Sequence, residues 1–150
     1  MTQTDATELT WNLRRRSLVA SESLLRIVHK AVELYDGDLE DFVIFLAVLC
    51  ANVGAVLRDA DLAASPPEGR VPVRYYRGVS RRAIAASTGL PRETVRRRIA
   101  SFIERGVLIE QGAYVRVPQG LLEQSVHRQF AQAIVQEFTR ASAQIARFPD

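Results

Sequence analysis

Arg92, Glu93, Thr94, Arg96, Arg97 and Arg98 crowd into seven consecutive positions, and side chains of these types suit one kind of chemistry. A guanidinium is a planar fork of N–H donors that fits phosphate oxygens and also the O6 and N7 acceptors of guanine. A carboxylate accepts from the N4 amino group of cytosine, and a hydroxyl donates to phosphate. The set therefore points to recognition of a nucleic acid. Nothing comparable points to catalysis: His29, His127 and Cys50 are scattered along the chain, and no carboxylate pair, glycine-rich phosphate loop or nucleophile motif stands out. The sequence predicts no enzyme, no metal site and no cofactor.

The elements that must position these side chains are legible around them. Residues 81–88 form a short helical stretch, and Gly89 supplies the positive φ that ends it and aims the next helix. Pro91 fits a first helical position, where its missing N–H is not needed. Val95, Ile99 and Phe102 then recur at three-to-four spacing and predict one apolar face, which Ile84, Leu90 and Ile103 can meet. At about 100° per residue, Glu93, Arg97 and Ala100 fall on the far side, with Arg96 and Arg98 flanking the stripe. Gly106 stops this helix, and residues 107–109 and 114–117 read as a hairpin around a Gln111-Gly112 turn. Helix, turn, arginine-rich helix and hairpin in this order are a winged helix-turn-helix. The expected fold class is mainly α with a small β-wing, a winged helix-turn-helix joined to a helical dimerisation body.

Charge sorts accordingly. Residues 70–116 hold eleven arginines and three glutamates, a net of +8, while the rest of the chain is net −5, so the overall +3 conceals a basic reader on an acidic body. Phosphate contacts are expected from Ser80, Arg81 and Arg82 at the start of the first helix, where backbone N–H groups and the helix dipole add to side-chain charge. Arg96 and Arg98 beside the second helix, and Tyr114 and Arg116 on the wing, complete the expected backbone set.

The run from Gly89 to Gly106, GLPRETVRRRIASFIERG, resembles the recognition helix of the cyclic-AMP receptor and fumarate-nitrate regulator family of bacterial transcription factors. The resemblance spans roughly forty residues with the surrounding reader. It implies that Arg92, Glu93 and Arg97 meet base edges in the major groove and that Thr94 touches phosphate. Pro91 departs from the family's capping Ser or Thr, and Arg98 stands where the pattern has an apolar residue; its stem is suited to lie along the core edge. The remainder lacks a stretch long enough for that family's β-barrel. Its layout, with helices on both sides of the reader, is similar to that of the MarR family of small dimeric regulators, and GntR-like and IclR-like readers also fit the motif.

Outside the reader, residues 8–35 predict a long helix with Trp11, Leu18, Leu25 and Val32 spaced by sevens. Leu24, Val28, Ala31 and Tyr35 widen its stripe. The Asp36-Gly37-Asp38 break offers an N-cap to a second helix, 39–59, apolar nearly all round and expected at the centre of the body. Residues 63–73 read as a loop leading to Arg74, Tyr75, Tyr76 and Arg77, which either contact DNA backbone or supply the wing's third strand. A final helix, 121–148, carries Leu122, Val126, Phe130, Ile134, Phe138 and Ile145 along one side. These readings divide the chain into an N-terminal helical body (1–64), a DNA-binding region (65–118) and a C-terminal dimerisation helix (119–150).

The longest uncharged apolar run, 42–57, has 16 residues and contains Asn52, whereas a bilayer span needs about 20. A single cysteine and no secretory leader pattern predict a reducing, cytoplasmic setting and no membrane. The expected function is sequence-specific transcriptional regulation by a homodimer bound to double-stranded DNA at an inverted repeat. A replication-initiation or partition-type DNA-binding protein and a protein-binding winged-helix module remain alternatives, and the sequence names no small-molecule effector.

Overall fold

The computed structural model describes residues 3–35, 38–54 and 75–148. Among them the chain is mainly helical with one small antiparallel sheet, in the order α1 (Gln3–Leu34), α2 (Leu39–Val53), β1 (Val79–Ser80), α3 (Arg81–Thr88), α4 (Arg92–Glu104), β2 (Ile109–Gln111), β3 (Tyr114–Arg116), a 3-10 turn (Leu121–Glu123) and α5 (Ser125–Ile145). The expected loop 63–73, Arg74, the continuation of the second helix past Gly54 and the break at positions 36–37 lie outside the described residues. Two compact units divide the fold, Met1–Gly37 with Leu122–Asp150, and Asp38–Leu121.

In the first unit α1 packs along α5. The face that α1 buries carries Asn12, Ser23, Ile27, Ala31 and Tyr35, and the buried residue of α5 is Ala141, near its C-terminal end. Small side chains at Ser23, Ala31 and Ala141 let the helix axes approach. Arg26 clips the pair together, donating from Nε to Glu137 Oε2 at 2.9 Å, and Arg140 reaches the same oxygen at 3.0 Å. Farther along, the Arg15 guanidinium lies 4.0 Å from the centre of the Phe148 ring. The seven-spaced stripe does not form this contact: Trp11, Leu18 and Leu25 are 57, 61 and 68% exposed. Of the residues expected to widen the stripe, Ala31 and Tyr35 are buried, Val28 is half-buried with Val32, and Leu24 is exposed, so the buried face shares only the second half of the expected one. On α5 the expected stripe is likewise only partly covered, with Phe130, Ile134 and Ile145 half-buried and Val126 and Phe138 exposed; the side chain of residue 122 lies outside the described residues. The helix begins at Ser125, after the 3-10 turn, and α1 begins at Gln3, earlier than residue 8.

The second unit gathers α2, α3, α4 and the sheet, and within it α2 packs with α3, with the arginine-rich α4 and with the sheet. Asp38 caps α2, its Oδ1 accepting from the Asp41 N–H at 3.1 Å. Phe42, Ile44, Phe45 and Val48 of α2 are buried with Ile84 of α3, Val95, Ile99 and Phe102 of α4, and Leu108, Val115 and Val117 around the hairpin. Phe45 and Phe102 meet at a ring-centre distance of 6.5 Å, tilted by 53°. In the sheet β3 is central: Val79 pairs with Val115 and Ser80 with Tyr114, while Ile109, Glu110 and Gln111 pair with Arg116, Val115 and Tyr114. The hairpin turn is Gly112-Ala113, one residue later than the sequence suggests, because Gln111 still pairs. The third strand is Val79–Ser80, just after the Tyr75–Arg77 stretch proposed for it; Tyr75 and Tyr76 are half-buried.

Asn52 locks this unit. It is fully buried, and its backbone carbonyl accepts from the Arg77 N–H at 3.2 Å. Its side chain donates from Nδ2 to the Arg77 carbonyl at 2.6 Å and accepts at Oδ1 from the Val117 N–H at 2.6 Å. One residue thus ties α2 to the segment entering the sheet and to the segment leaving it. Asn52→Leu leaves the buried Val117 N–H without its acceptor and removes the bond to the Arg77 carbonyl, and should cost about 1 to 3 kcal/mol, read as a lower urea midpoint at unchanged m. Cys50→Ser, on an exposed position of the same helix, should stay within about 0.5 kcal/mol of the wild type. Equal stability of all three chains would show that the Asn52 bonds carry no net stabilisation.

Candidate nucleic-acid interface

The placement of the arginines begins at the turn between α3 and α4. Ser80 caps α3, its hydroxyl accepting from the Ala83 N–H at 3.2 Å, so this side chain is engaged in holding the helix start. At the other end Thr88 donates to the Ile84 carbonyl at 2.8 Å, and Gly89 takes φ 70°, its N–H bonding the Ala85 carbonyl at 3.0 Å. A side chain at residue 89 would be strained in that left-handed conformation. Pro91 stands immediately before α4 with extended backbone, giving the helix no side-chain cap. Its carbonyl accepts from the Val95 N–H at 3.0 Å and starts the ladder.

Burial of Val95, Ile99 and Phe102 fixes the rotation of α4 and sorts its charged residues into three groups. Arg98 and Arg105 project from one flank onto the start of α2. The Arg98 guanidinium pairs with Asp38, donates to Glu40 Oε2 at 3.1 Å and lies 3.6 Å from Asp41 Oδ1. Arg105 donates to Asp41 Oδ2 at 3.0 Å and stacks over the Phe102 ring at 4.9 Å. Burial opposes the Arg98 charge, but the hydrogen bond to Glu40 and the charges of Asp38, Asp41 and Glu40 outweigh it and hold its pKa above the ordinary guanidinium value.

A second group is self-paired. Arg96 grips Glu93 with two bonds, Nε to Oε2 at 2.9 Å and Nη2 to Oε1 at 2.5 Å, one turn apart on an exposed face. That bond keeps the Glu93 carboxyl below its usual range, so Glu93 is an acceptor throughout the neutral and weakly acidic range. The partner is Arg96 at i+3, not Arg97 at i+4. Arg92 and Arg97 form the third group: both are exposed, and among the described residues neither has an ion-pair partner. Thr94 is half-buried.

The remaining expected contacts lie on α3 and the hairpin. Arg82 is exposed at the first turn of α3. Its neighbour Arg81 donates to Glu110 Oε1 at 2.7 Å, bracing α3 against β2. Tyr114 is 53% exposed on β3, packed so closely over Gly78 that a Cβ there would sit 2.6 Å from the Tyr114 Cβ. Arg116 is half-buried and bonds the Val117 carbonyl at 3.3 Å.

The structure thus brings Ser80, Arg81, Arg82, Arg92, Glu93, Thr94, Arg96, Arg97, Tyr114 and Arg116 into one unit, and commits Arg98 to intramolecular carboxylates instead of solvent. The acids that hold Arg98 were not singled out from sequence. Their signal was present as an arginine at an otherwise apolar position of α4 and three carboxylates at the start of α2, Asp38 at its N-cap and Glu40 and Asp41 in its first turn. Compared with known protein families, curated proteins and solved structures, the chain matches none.

Arg98→Ala leaves Asp38, Glu40 and Asp41 without their shared cation and should destabilise the chain by about 1.5 to 3 kcal/mol. Arg92→Ala and Arg97→Ala should be neutral to within about 0.5 kcal/mol, all three measured by urea denaturation at pH 7. A neutral Arg98→Ala would place its guanidinium outside the stability of the fold.

Proposed function

We propose that the chain is a sequence-specific DNA-binding transcriptional regulator, built on a winged helix-turn-helix, that lays α4 in the major groove. The single observation that carries this reading is the sorting of arginines on α4. Where the α4 flank meets α2, carboxylates consume Arg98 and Arg105; on the outward side two forks, Arg92 and Arg97, stay exposed and without an ion pair among the described residues. Unpaired exposed guanidinia beside an ionised Glu93 are the donors and acceptor that guanine and cytosine edges require.

The roles follow from geometry and charge. Arg92 and Arg97 fork onto guanine O6 and N7. Glu93 accepts from cytosine N4, with Arg96 holding its carboxylate and reaching the adjacent phosphate. Thr94 and Arg82 take backbone phosphates, and the start of α3, which Ser80 caps, adds the helix dipole. Arg81 shares itself between Glu110 and phosphate, and Tyr114 and Arg116 bring the β2–β3 hairpin to the flanking backbone or minor groove. Arg98 drops out of the contact set because three carboxylates already neutralise it. Two copies on an inverted repeat would space their α4 helices by about 34 Å, one duplex turn, or a multiple of it.

Selection of bound duplexes from a random pool at near-physiological salt tests this. The wild type should enrich an inverted repeat with guanine and cytosine at fixed positions, and Arg97→Ala should lose about 1 to 3 kcal/mol of discrimination at one of them. Arg82→Ala should weaken all sequences alike and lower the salt slope by about 1. Failure to enrich any sequence would overturn the reading.

A further inference from the structure

We infer that a second copy of this chain docks along the open face of α1, antiparallel, with Leu18 at the twofold axis. This gives an interface to the homodimer of the reading above and rests on that dimer alone, not on DNA binding. The starting point is the apolar face that the fold leaves uncovered. At about 100° per residue Trp11, Leu18 and Leu25 fall within roughly 40° of one another, and they point away from the Asn12, Ser23, Ile27 and Ala31 face that meets α5. Each is more than half exposed. Three large apolar side chains in line over four turns are an exposed seam of the kind that marks an association site.

Charge beside the seam decides its occupant and its direction. Arg14 lies four positions before Leu18 and Glu22 four positions after it, both exposed and both bordering the seam. Arg14 has no ion-pair partner among the described residues, and Glu22 has only a loose one, Arg26 at 3.8 Å. The neighbouring Arg15 is drawn to Phe148 instead. In an antiparallel pair centred on Leu18, residue i faces residue 36 − i of the other copy. Arg14 then meets the partner's Glu22, Trp11 meets the partner's Leu25, and Leu18 meets its own mate. Every contact off the axis occurs twice, as an isologous interface demands. A parallel pair would set Arg14 against Arg14 and Glu22 against Glu22, and like charges across a seam destabilise it. The seam is therefore complementary to itself in one orientation only.

Sedimentation or light-scattering mass of the full chain, followed by cross-linking, tests the interface. Wild type should be dimeric. Leu18→Glu with Leu25→Glu should shift it to monomer with an unchanged circular dichroism spectrum, because both positions are exposed in the folded chain. Leu13→Glu with Leu24→Glu, also exposed but turned more than about 100° from the seam, should remain dimeric. Arg14→Glu should weaken the dimer at least several-fold, and adding Glu22→Arg should restore it. In a Cys50→Ser background, Leu18→Cys should form an intermolecular disulfide readily. Leu25→Cys should not, since its two copies would stand roughly 21 Å apart along the axis, beyond disulfide reach. A monomeric wild type overturns both this inference and the dimer it rests on. A dimer indifferent to the seam substitutions, or Leu25→Cys cross-linking as readily as Leu18→Cys, overturns this interface and leaves dimeric DNA binding standing.

Discussion

Asn52 is the constraint on which the arginine-bearing unit depends. A buried amide costs free energy unless its donor and acceptor are both matched, and its matched groups become fixed points of the fold. Here the matches are the Arg77 carbonyl and the Val117 N–H, on either side of the three-stranded sheet. With both held against the last turn of α2, β1 enters and β3 leaves in set positions. Ser80 can then cap α3, and Glu110 on β2 can meet Arg81. The hydrophobic cluster around Phe45 and Phe102 fills the space so defined, but such packing is non-directional. The amide supplies the direction.

Electrostatics completes what packing begins. Burial of Val95, Ile99 and Phe102 sets α4 to within a fraction of a turn. The Arg98 and Arg105 bonds to Asp38, Glu40 and Asp41 then fix which flank faces α2. Such partly buried, multiply bonded pairs are screened less by salt than exposed ones, so the orientation of α4 should persist at ionic strengths that weaken contacts to phosphate. Structure and proposed recognition thus use the same residue type in opposite ways: Arg98 and Arg105 are paired with carboxylates and hold the helix, while Arg92 and Arg97 have no ion pair among the described residues.

Unit one follows a different logic. Its helix pair buries small and polar side chains, among them Asn12 and Ser23, while leaving leucines and a tryptophan outside. That exposed apolar area is what the proposed dimer would remove from water, and the gain from burial scales roughly with the area covered.

Much of the arginine-bearing unit was legible because its signals are local. Gly89 and Pro91 mark the turn, the 95-99-102 spacing marks the buried face of α4, and the glycine at 112 marks the hairpin, each through φ preferences or helical period that neighbouring residues alone dictate. The sequence by itself also determined the separation of charge between residues 70–116 and the rest, which no folding can alter. Tertiary structure decided what depends on distant residues. It tied α2 to the segments entering and leaving the sheet, because Asn52 pairs 25 and 65 positions downstream. It turned Arg98 inward, because three carboxylates more than fifty positions upstream surround it. It also gave α5 the opposite face of α1 from the leucine seam. Periodicity records that a face is apolar, but partners separated in sequence choose which face they cover.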